Sequence, residues 1–220
     1  MSYSAVIFDL DGTLIDSEPV FKAVAKLAAI EFDQCFTDEL YLALVGLPSA
    51  EVESGIFDAF GHDFPMNDFR TRFALHWHEH VDANGIEIKP GALDLVNKLR
   101  DRSIPYAIAT STPHERARQS LKHAKLDNIF EHLIGGDQVD NGKPAPDIYL
   151  KAATTIGANP KKCIAIEDSK VGVRAAAAAS MHTIMIPDLK SPDEETKNLT
   201  HNIFSSLDEA ANHILSLLKT

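Results

Sequence analysis

The sequence predicts an α/β protein with a parallel β-sheet core and an all-helical segment inserted after the first strand. Three features predict this architecture. From residue 91 onward, short apolar runs alternate with segments of helical spacing, which is the pattern of βαβ units around a parallel sheet. Residues 16–88 show helical spacing without a strand pattern. That same segment also carries most of the negative charge.

The strands are predicted from short runs of apolar and β-branched residues. Residues 5–8, Ala-Val-Ile-Phe, contain no polar side chain, which is typical of a strand buried on both faces. Further strands are predicted at 106–109, 133–134, 163–166 and 183–186. Helices are predicted between and after them, at 91–102, 113–123, 146–156, 169–179 and 207–218, with a polar connection over 188–201.

The inserted segment is predicted to hold four helices. In the first, apolar residues recur at positions 20, 21, 24, 27, 28 and 32, which is helical spacing. Ser17 is its predicted N-cap, with Pro19 in the first turn. The other three helices are predicted at 38–45, 49–60 and 66–83. We therefore expect two domains: an α/β core domain of residues 1–15 and 89–220, and a helical domain of residues 16–88.

The charge distribution favours the same boundary. The chain has a net charge of −11, and residues 27–88 contain 12 Asp and Glu against only Arg70 and Arg72. The rest of the chain is therefore nearly neutral. Because nucleic acids and anionic membranes attract clusters of Lys and Arg, this balance argues against both as partners.

The composition is that of an ordinary globular protein, with 45% hydrophobic and 24% charged residues among 220. No apolar run approaches the ~18 residues of a membrane span, and the first residues lack the pattern of a signal peptide. Cys35 and Cys163 are far apart and have no metal-ligand spacing. We expect a cytoplasmic protein without a disulfide framework or a zinc site.

Chemically active side chains stand where the predicted strands end. They are Asp9, Thr110, Lys143, Glu167 and Asp168. Open parallel sheets bind ligands in the crevice outside the carboxyl ends of their strands, so these side chains are expected to converge. A single acid at such a position more often caps the next helix. Capping does not readily explain complementary charges at four strand ends at once.

The expected cluster has a definite chemistry. Carboxylates held together repel one another, so we expect a cation among them, and oxygen-only ligands suit Mg²⁺. A metal beside a lysine and a hydroxyl group forms an anion site that can hold a phosphoryl group. One carboxylate can attack that group to form an aspartyl-phosphate. A second carboxylate two residues later can protonate the leaving oxygen and then deprotonate water.

Four motifs resemble those of the haloacid dehalogenase superfamily, in the order typical of that family. They are Asp9-Leu-Asp11-Gly-Thr13, Thr110, Lys143-Pro-Ala-Pro-Asp147 and Glu167-Asp168-Ser-Lys-Val-Gly172. The resemblance covers the whole chain and points to the branch of β-phosphoglucomutases and sugar-phosphate phosphatases. It implies a Rossmann-like core, and the helical segment resembles the small α-helical cap of the family.

The resemblance implies a role for each catalytic position. Asp9 would be the nucleophile and a magnesium ligand. Asp11 would be the general acid and base, and its main-chain carbonyl would also bind the metal. Thr110 would hydrogen-bond the transferring phosphoryl group, and Lys143 would neutralise its charge.

The remaining implied roles concern metal and substrate. Asp168 would hold magnesium, with Glu167 either as a further ligand or as a partner of the ligands. Substrate contacts are expected from Thr110 and Lys143, and also from Ser111, Glu18 and His114.

The implied function is that of a Mg²⁺-dependent phosphomonoester hydrolase acting on a small phosphorylated metabolite, for example a sugar phosphate. A phosphosugar mutase of the β-phosphoglucomutase type is the alternative, and a non-catalytic phosphate-binding protein is a third. A mutase needs cationic groups on its cap, yet segment 44–49 contains no base and Phe21 stands where that pattern has a histidine. We therefore favour the hydrolase, as a monomer or weak dimer.

Four basic or imidazole side chains on one predicted helix have no assigned role. They are Arg70, Arg72, His76 and His78. Histidines two residues apart fall on opposite faces of a helix, which argues against a metal site there.

The end of the helix predicted at 169–179 departs from the family pattern. Ser180 stands where that pattern has a glycine. Serine tolerates a left-handed C-terminal conformation poorly, so we expect either strain or a different helix end.

Overall fold

A computed structural model describes residues 2–47 and 49–218 of the chain. Pro48 of the segment 44–49 lies outside the described residues. The chain separates into two compact units, one formed by Met1–Asp16 with Glu87–Thr220 and one by Ser17–Ile86. We refer to them as the α/β unit and the helical unit.

Within the described residues, a six-stranded parallel sheet forms the centre of the α/β unit. Its strands are β1 (Ala5–Phe8), β4 (Tyr106–Ala109), β5 (Leu133–Ile134), β6 (Cys163–Glu167), β7 (His182–Met185) and β8 (Asn202–Ile203). They lie in the order β5-β4-β1-β6-β7-β8. This arrangement confirms the predicted α/β class.

Helices connect these strands, and most of them are predicted by the alternating pattern. They are α5 (Ala92–Asp101), α6 (His114–His123), α7 (Asp147–Thr155), α8 (Lys170–Ala178), α9 (Glu194–Leu199) and α10 (Leu207–Leu217). Strand β1 is fully buried, and alanines of β4 and β6 pack with Ala152 and Ala153 of α7 in one cluster. Small side chains on both sides let the helix approach the sheet closely.

The helical unit contains α1 (Glu18–Ile30), α2 (Asp38–Leu44), α3 (Ser49–Phe60) and α4 (Met66–Asn84). Its own core is rich in aromatic rings. Phe64 packs edge-on against Phe32 and Phe60, with ring centroids 5.6 and 5.0 Å apart. Phe21 stacks on Trp77 at 4.4 Å. Aromatic pairs add about 0.5–1.5 kcal/mol each beyond burial, so this small unit has a core of its own.

Three local features differ from the sequence-based expectation: a pair of short strands, the helix α9 and the two-residue strand β8, which no predicted element covers. Residues 15–16 and 87–88 pair as two short antiparallel strands, β2 (Ile15–Asp16) and β3 (Glu87–Ile88), so both ends of the predicted all-helical segment are extended. The polar connection contains α9, which Asp193 caps by accepting from the Thr196 N–H. Strands of two residues and a six-residue polar helix show no hydrophobic period, which is why the pattern missed them.

Ser17 occupies the predicted N-cap position of α1 but does not cap the helix with its side chain. This serine precedes α1, but its backbone is helical and its side chain makes no capping hydrogen bond. At the start of α8, the side chain of Ser169 does form a cap, because its hydroxyl accepts from the Gly172 N–H at 3.1 Å.

The end of α8 has the expected left-handed conformation. Ser180 has φ 61°, and the next N–H, that of Met181, donates to Ala176 O at 3.1 Å. This is the Schellman arrangement, which favours glycine at the left-handed position. The chain closes the end of α8 in this way although a serine occupies that position, so the strain expected from the sequence is present.

Replacing Ser180 with glycine is expected to stabilise the protein. A left-handed backbone costs a residue with a Cβ atom about 1–2 kcal/mol, and glycine's greater freedom in the unfolded chain takes back about half of that. Urea unfolding of Ser180→Gly should therefore show a gain of about 0.5–1 kcal/mol. Ser180→Ala is the control, because it keeps the Cβ atom. An equal gain in both variants would contradict the account.

Candidate active site

The parallel register brings the predicted strand-end residues together. Strand β1 lies between β4 and β6, with Phe8 opposite Ile108 on one side and Ile166 on the other. Asp9, Thr110 and Glu167 therefore emerge side by side at the carboxyl edge of the sheet, followed by Asp168. Asp9, Thr110 and Glu167 are far apart in the sequence, and they form a cluster because the sheet aligns the ends of their strands.

Lys143 lies in the middle of this cluster. Its Nζ atom donates to Asp9 Oδ1 at 2.5 Å and to Glu167 Oε1 at 2.5 Å. All three residues are buried: the exposed fraction is 8% for Lys143, 6% for Asp9 and 0% for Glu167. Ion pairs at this depth have little solvent screening, so each charge depends on its partners.

Glu167 is held by five hydrogen bonds. Its Oε1 atom accepts from Lys143 and from the Tyr149 hydroxyl, the latter at 2.6 Å. Its Oε2 atom accepts from the N–H groups of Asp168 and Ser169 and from the Ser169 hydroxyl, at 3.1–3.3 Å. A buried carboxylate with both oxygens engaged has one orientation.

Burial dominates the titration of the cluster. It raises the pKa of Asp9 to about 8, the negative charges of Glu167 and Asp11 act in the same direction, and the charge of Lys143 opposes them. Burial disfavours the charge on Lys143, but Asp9 and Glu167 outweigh it and hold the pKa of the lysine above its ordinary value. Burial and the nearby carboxylates raise the pKa of Tyr149 well above its ordinary value, so this phenol stays protonated and donates.

The acids of the cluster can together hold a cation. Asp9, Glu167 and Asp168 each offer a carboxylate oxygen, and these atoms lie within 4.8 Å of one another. Carboxylates held this close together repel one another, so a divalent ion bound between them would reduce that repulsion. Gly12 approaches the same site: a methyl group there would lie 2.5 Å from Asp168 Oδ2. Oxygen donors alone suit a hard cation such as Mg²⁺.

Asp11 lies beside this group and is held by two threonines. The Thr112 hydroxyl donates to Asp11 Oδ2 at 2.7 Å, and that of Thr110 lies 3.5 Å from the same oxygen. Thr110 Oγ1 also accepts from the Thr112 N–H at 3.1 Å. The loop after β4 therefore orients the second carboxylate of the Asp9-Leu-Asp11 pair.

Comparison with known proteins identifies the family. Residues 6–186 match the family described as haloacid dehalogenase-like hydrolase. This chain belongs to that family. Its four motifs and its parallel sheet are thus accounted for by common descent, and the predicted resemblance is confirmed.

Two curated relatives of this hydrolase are named as phosphatases. A phosphorylated carbohydrates phosphatase from Thermotoga maritima is 33% identical over 183 residues, covering 82% of this chain and 83% of the relative. A (DL)-glycerol-3-phosphatase 2 from Arabidopsis thaliana is 32% identical over 219 residues, covering 94% and 88%. These relatives support the conclusion that the chain is a phosphatase.

A solved structure shares the whole fold. It is a HAD family hydrolase from Deinococcus radiodurans R1 with bound phosphate and sodium, 28% identical to this hydrolase. The TM-score is 0.79, and the match covers 99% of this chain and 98% of the other.

No helix among the described residues of this hydrolase is long and apolar enough to cross a membrane.

The expected substrate residues of the α/β unit lie on the loops around the cluster. Ser111 directly follows Thr110 and is exposed. His114 begins α6, where its N–H donates to Asp137 Oδ1 at 2.7 Å and its Nδ1 lies 3.1 Å from Gln138 Oε1. His114 is thus engaged by the loop after β5, which fixes the start of α6.

The other residues singled out from the sequence lie in the helical unit. Glu18 is the first residue of α1, and its carboxylate accepts a hydrogen bond from the buried Tyr41 hydroxyl. Three of the basic or imidazole side chains pair with acids: Arg70 with Glu53 at 2.5 Å, and Arg72 and His76 with Glu31 at 2.9 and 2.5 Å. Among the described residues, a three-acid metal cluster is found at Asp9, Glu167 and Asp168, without these histidines.

Sequence reasoning missed two site residues, Thr112 and Tyr149. Thr112 lies two positions after a motif residue, and its hydroxyl is an evident candidate once the loop geometry is known. Tyr149 occupies an apolar position of α7, where a tyrosine is indistinguishable from a core aromatic residue. Tyr149 differs from an ordinary core aromatic residue only in that its hydroxyl is hydrogen-bonded to a buried carboxylate.

The helix α8 passes so close to Glu167 that Gly172 has no room for a side chain. A methyl group at Gly172 would lie 1.8 Å from Glu167 Oε1 and 2.0 Å from Oε2. Alanine is the better helix former by about 1 kcal/mol, but a contact this short forces the carboxylate or the helix to move. Packing therefore outweighs propensity at this position.

We expect Gly172→Ala to destabilise the protein by about 2–4 kcal/mol, the range of severe overpacking. Activity should fall as well, because Glu167 anchors Lys143. Urea unfolding and phosphate release measure the two effects. Gly142→Ala is the matched control, since a methyl group at Gly142 meets nothing within 4 Å. Similar stability of the two variants would contradict this packing.

Proposed function

We propose that this phosphatase hydrolyses the monoester of a small phosphorylated metabolite, such as a sugar or polyol phosphate, with Mg²⁺ as cofactor. The contact between Lys143 and Asp9 inside the three-carboxylate cluster carries the proposal. Asp9 needs a cation to stay ionised in a buried site, and an ionised Asp9 is a nucleophile.

The metal would be held by the carboxylates of Asp9 and Asp168, with Glu167 and the main-chain carbonyl of Asp11 as the further predicted contributors. The five hydrogen bonds of Glu167 favour its alternative role, as a partner of the ligands. A bound Mg²⁺ would offset the negative charge of the phosphoryl oxygens during transfer.

The first half-reaction transfers the phosphoryl group to the protein. The Asp9 carboxylate attacks phosphorus, and the bond between phosphorus and the substrate oxygen breaks. Asp11, oriented by Thr112, gives its proton to the departing alkoxide. Thr110 and Lys143 contribute a hydroxyl and an ammonium group at the phosphoryl position. The product is the free alcohol, and an acyl phosphate remains on Asp9.

The second half-reaction restores the protein. The Asp11 carboxylate takes a proton from water, and the water oxygen attacks phosphorus. The bond between phosphorus and Asp9 breaks, which releases inorganic phosphate and the Asp9 carboxylate. Asp11 is again protonated, so the cycle balances.

The substrate class is supported by the relatives. One is named for phosphorylated carbohydrates and another for glycerol 3-phosphate, and a structural neighbour contains bound phosphate. We propose Thr110, Lys143 and the adjacent Ser111 as phosphate contacts. Substrate binding by Glu18 and His114 stays a prediction from the family resemblance.

The test is a phosphate-release screen over sugar phosphates, polyol phosphates and nucleotides, with and without Mg²⁺. We expect Mg²⁺-dependent release, and we expect Asp9→Asn to lower kcat by at least about 1000-fold, as for loss of a nucleophile. Asp127→Asn, at an exposed acid of the same unit, is the control and should keep full activity.

Two outcomes of this screen would overturn the proposal. If Asp9→Asn were as active as the unchanged protein, Asp9 could not be the nucleophile. Conversion of a hexose 1-phosphate into its 6-phosphate faster than phosphate release would assign the chain to the mutases.

A further inference from the structure

Tyr149 is a polar residue in an otherwise apolar surface of α7. The buried face of this helix consists of Ile148, Tyr149, Ala152 and Ala153, all in one hydrophobic cluster. Burying a hydroxyl group without a hydrogen-bond partner is unfavourable in a protein interior. The Tyr149 hydroxyl avoids this cost because it donates to Glu167 Oε1 at 2.6 Å.

Tyr149 contacts the lysine as well as the carboxylate. The Lys143 Nζ atom lies 5.1 Å from the centroid of the Tyr149 ring, within the ~6 Å range of a cation–π interaction. The ring thus borders one side of the ammonium group, while the hydroxyl bonds to the oxygen that the ammonium group also contacts. One side chain therefore constrains both members of the Lys143–Glu167 pair.

The position of the Lys143 ammonium group depends on its attraction to two carboxylates, those of Asp9 and Glu167. Its Nζ atom lies 2.5 Å from both Asp9 Oδ1 and Glu167 Oε1. A carboxylate oxygen that already accepts one hydrogen bond attracts a second donor less strongly. The hydrogen bond from Tyr149 therefore weakens the attraction between Glu167 and the Lys143 ammonium group. The ammonium group then interacts more strongly with Asp9.

We propose that Tyr149 is a positioning residue of the phosphatase reaction, whose hydroxyl holds Glu167 so that Lys143 stays at Asp9. The inference rests on the proposed function, since Lys143 at Asp9 matters only if Asp9 receives the phosphoryl group. Removing the hydroxyl leaves Glu167 Oε1 to the lysine alone, and the ammonium group shifts toward Glu167. Transfer then slows, while substrate binding elsewhere in the site is unchanged.

The test is Tyr149→Phe, which keeps the buried ring and deletes only the hydroxyl. Tyr106→Phe is the matched control: Tyr106 begins β4, at the amino end of the sheet, and its hydroxyl donates to Ile129 O at 2.9 Å. We expect kcat to fall about tenfold in Tyr149→Phe, and the Tyr106→Phe control to keep both kcat and KM. A Tyr149 that merely fills the core would lower the melting temperature and leave kcat per folded molecule unchanged, and that result would overturn the proposal.

A double variant shows whether Tyr149 acts through Glu167. In a Glu167→Gln background, Tyr149→Phe is expected to cause no further loss of kcat, because residues in one chain of contacts are not additive. A second tenfold loss in that background would overturn the proposal. If Tyr149→Phe alone is too unstable to assay, the comparison of Glu167→Gln with the double variant still tests the proposal, because neither of these proteins carries the Glu167 charge that the hydroxyl contacts.

A crystal structure of Tyr149→Phe separates this inference from the proposed function. We expect Lys143 Nζ to keep its contact with Glu167 and to leave hydrogen-bond distance of Asp9 Oδ1. If the unchanged protein hydrolyses no phosphomonoester, the proposed function fails, and this structure still tests the positioning. A lysine equally close to both carboxylates in the variant would refute it.

Discussion

The site depends on a buried ammonium group shared by two buried carboxylates. Lys143 lies 2.5 Å from Asp9 and from Glu167, and Asp168 adds a third acid close by. Removing Lys143 would leave two buried carboxylates without their counter-ion, and breaking a buried ion pair in this way costs about 3–5 kcal/mol. The surrounding residues are therefore constrained by charge as strongly as by shape.

The fold meets this constraint with backbone geometry. Parallel pairing of β1 with β6 delivers Asp9 and Glu167 to the same edge of the sheet. The start of α8 then supplies N–H and hydroxyl donors to Glu167, and Gly172 leaves the space that the carboxylate occupies. The elements that order the acid are thus the same elements that build the core, which links stability to activity.

Much of this arrangement could be predicted from the sequence, because it depends on features that residue patterns encode. Apolar runs in the sequence predict the strands β1 and β6. The acidic residues that directly follow these runs, Asp9 and Glu167, are predicted as site residues. The hydrogen bond of Tyr149 could not be predicted, since a buried tyrosine satisfies the same apolar pattern whether or not its hydroxyl meets an acid. Strands β2 and β3 were missed for a different reason: two residues carry no period, and their pairing depends on segments about 70 residues apart.

The central claim is that the carboxylates of Asp9 and Asp168 together hold a divalent cation. The most direct measurement is a crystal structure with Mn²⁺ in place of Mg²⁺, because manganese is located by its anomalous scattering. The account predicts one anomalous peak bonded to carboxylate oxygens of both Asp9 and Asp168. The absence of a peak at saturating Mn²⁺, or a peak that contacts neither residue, would contradict it.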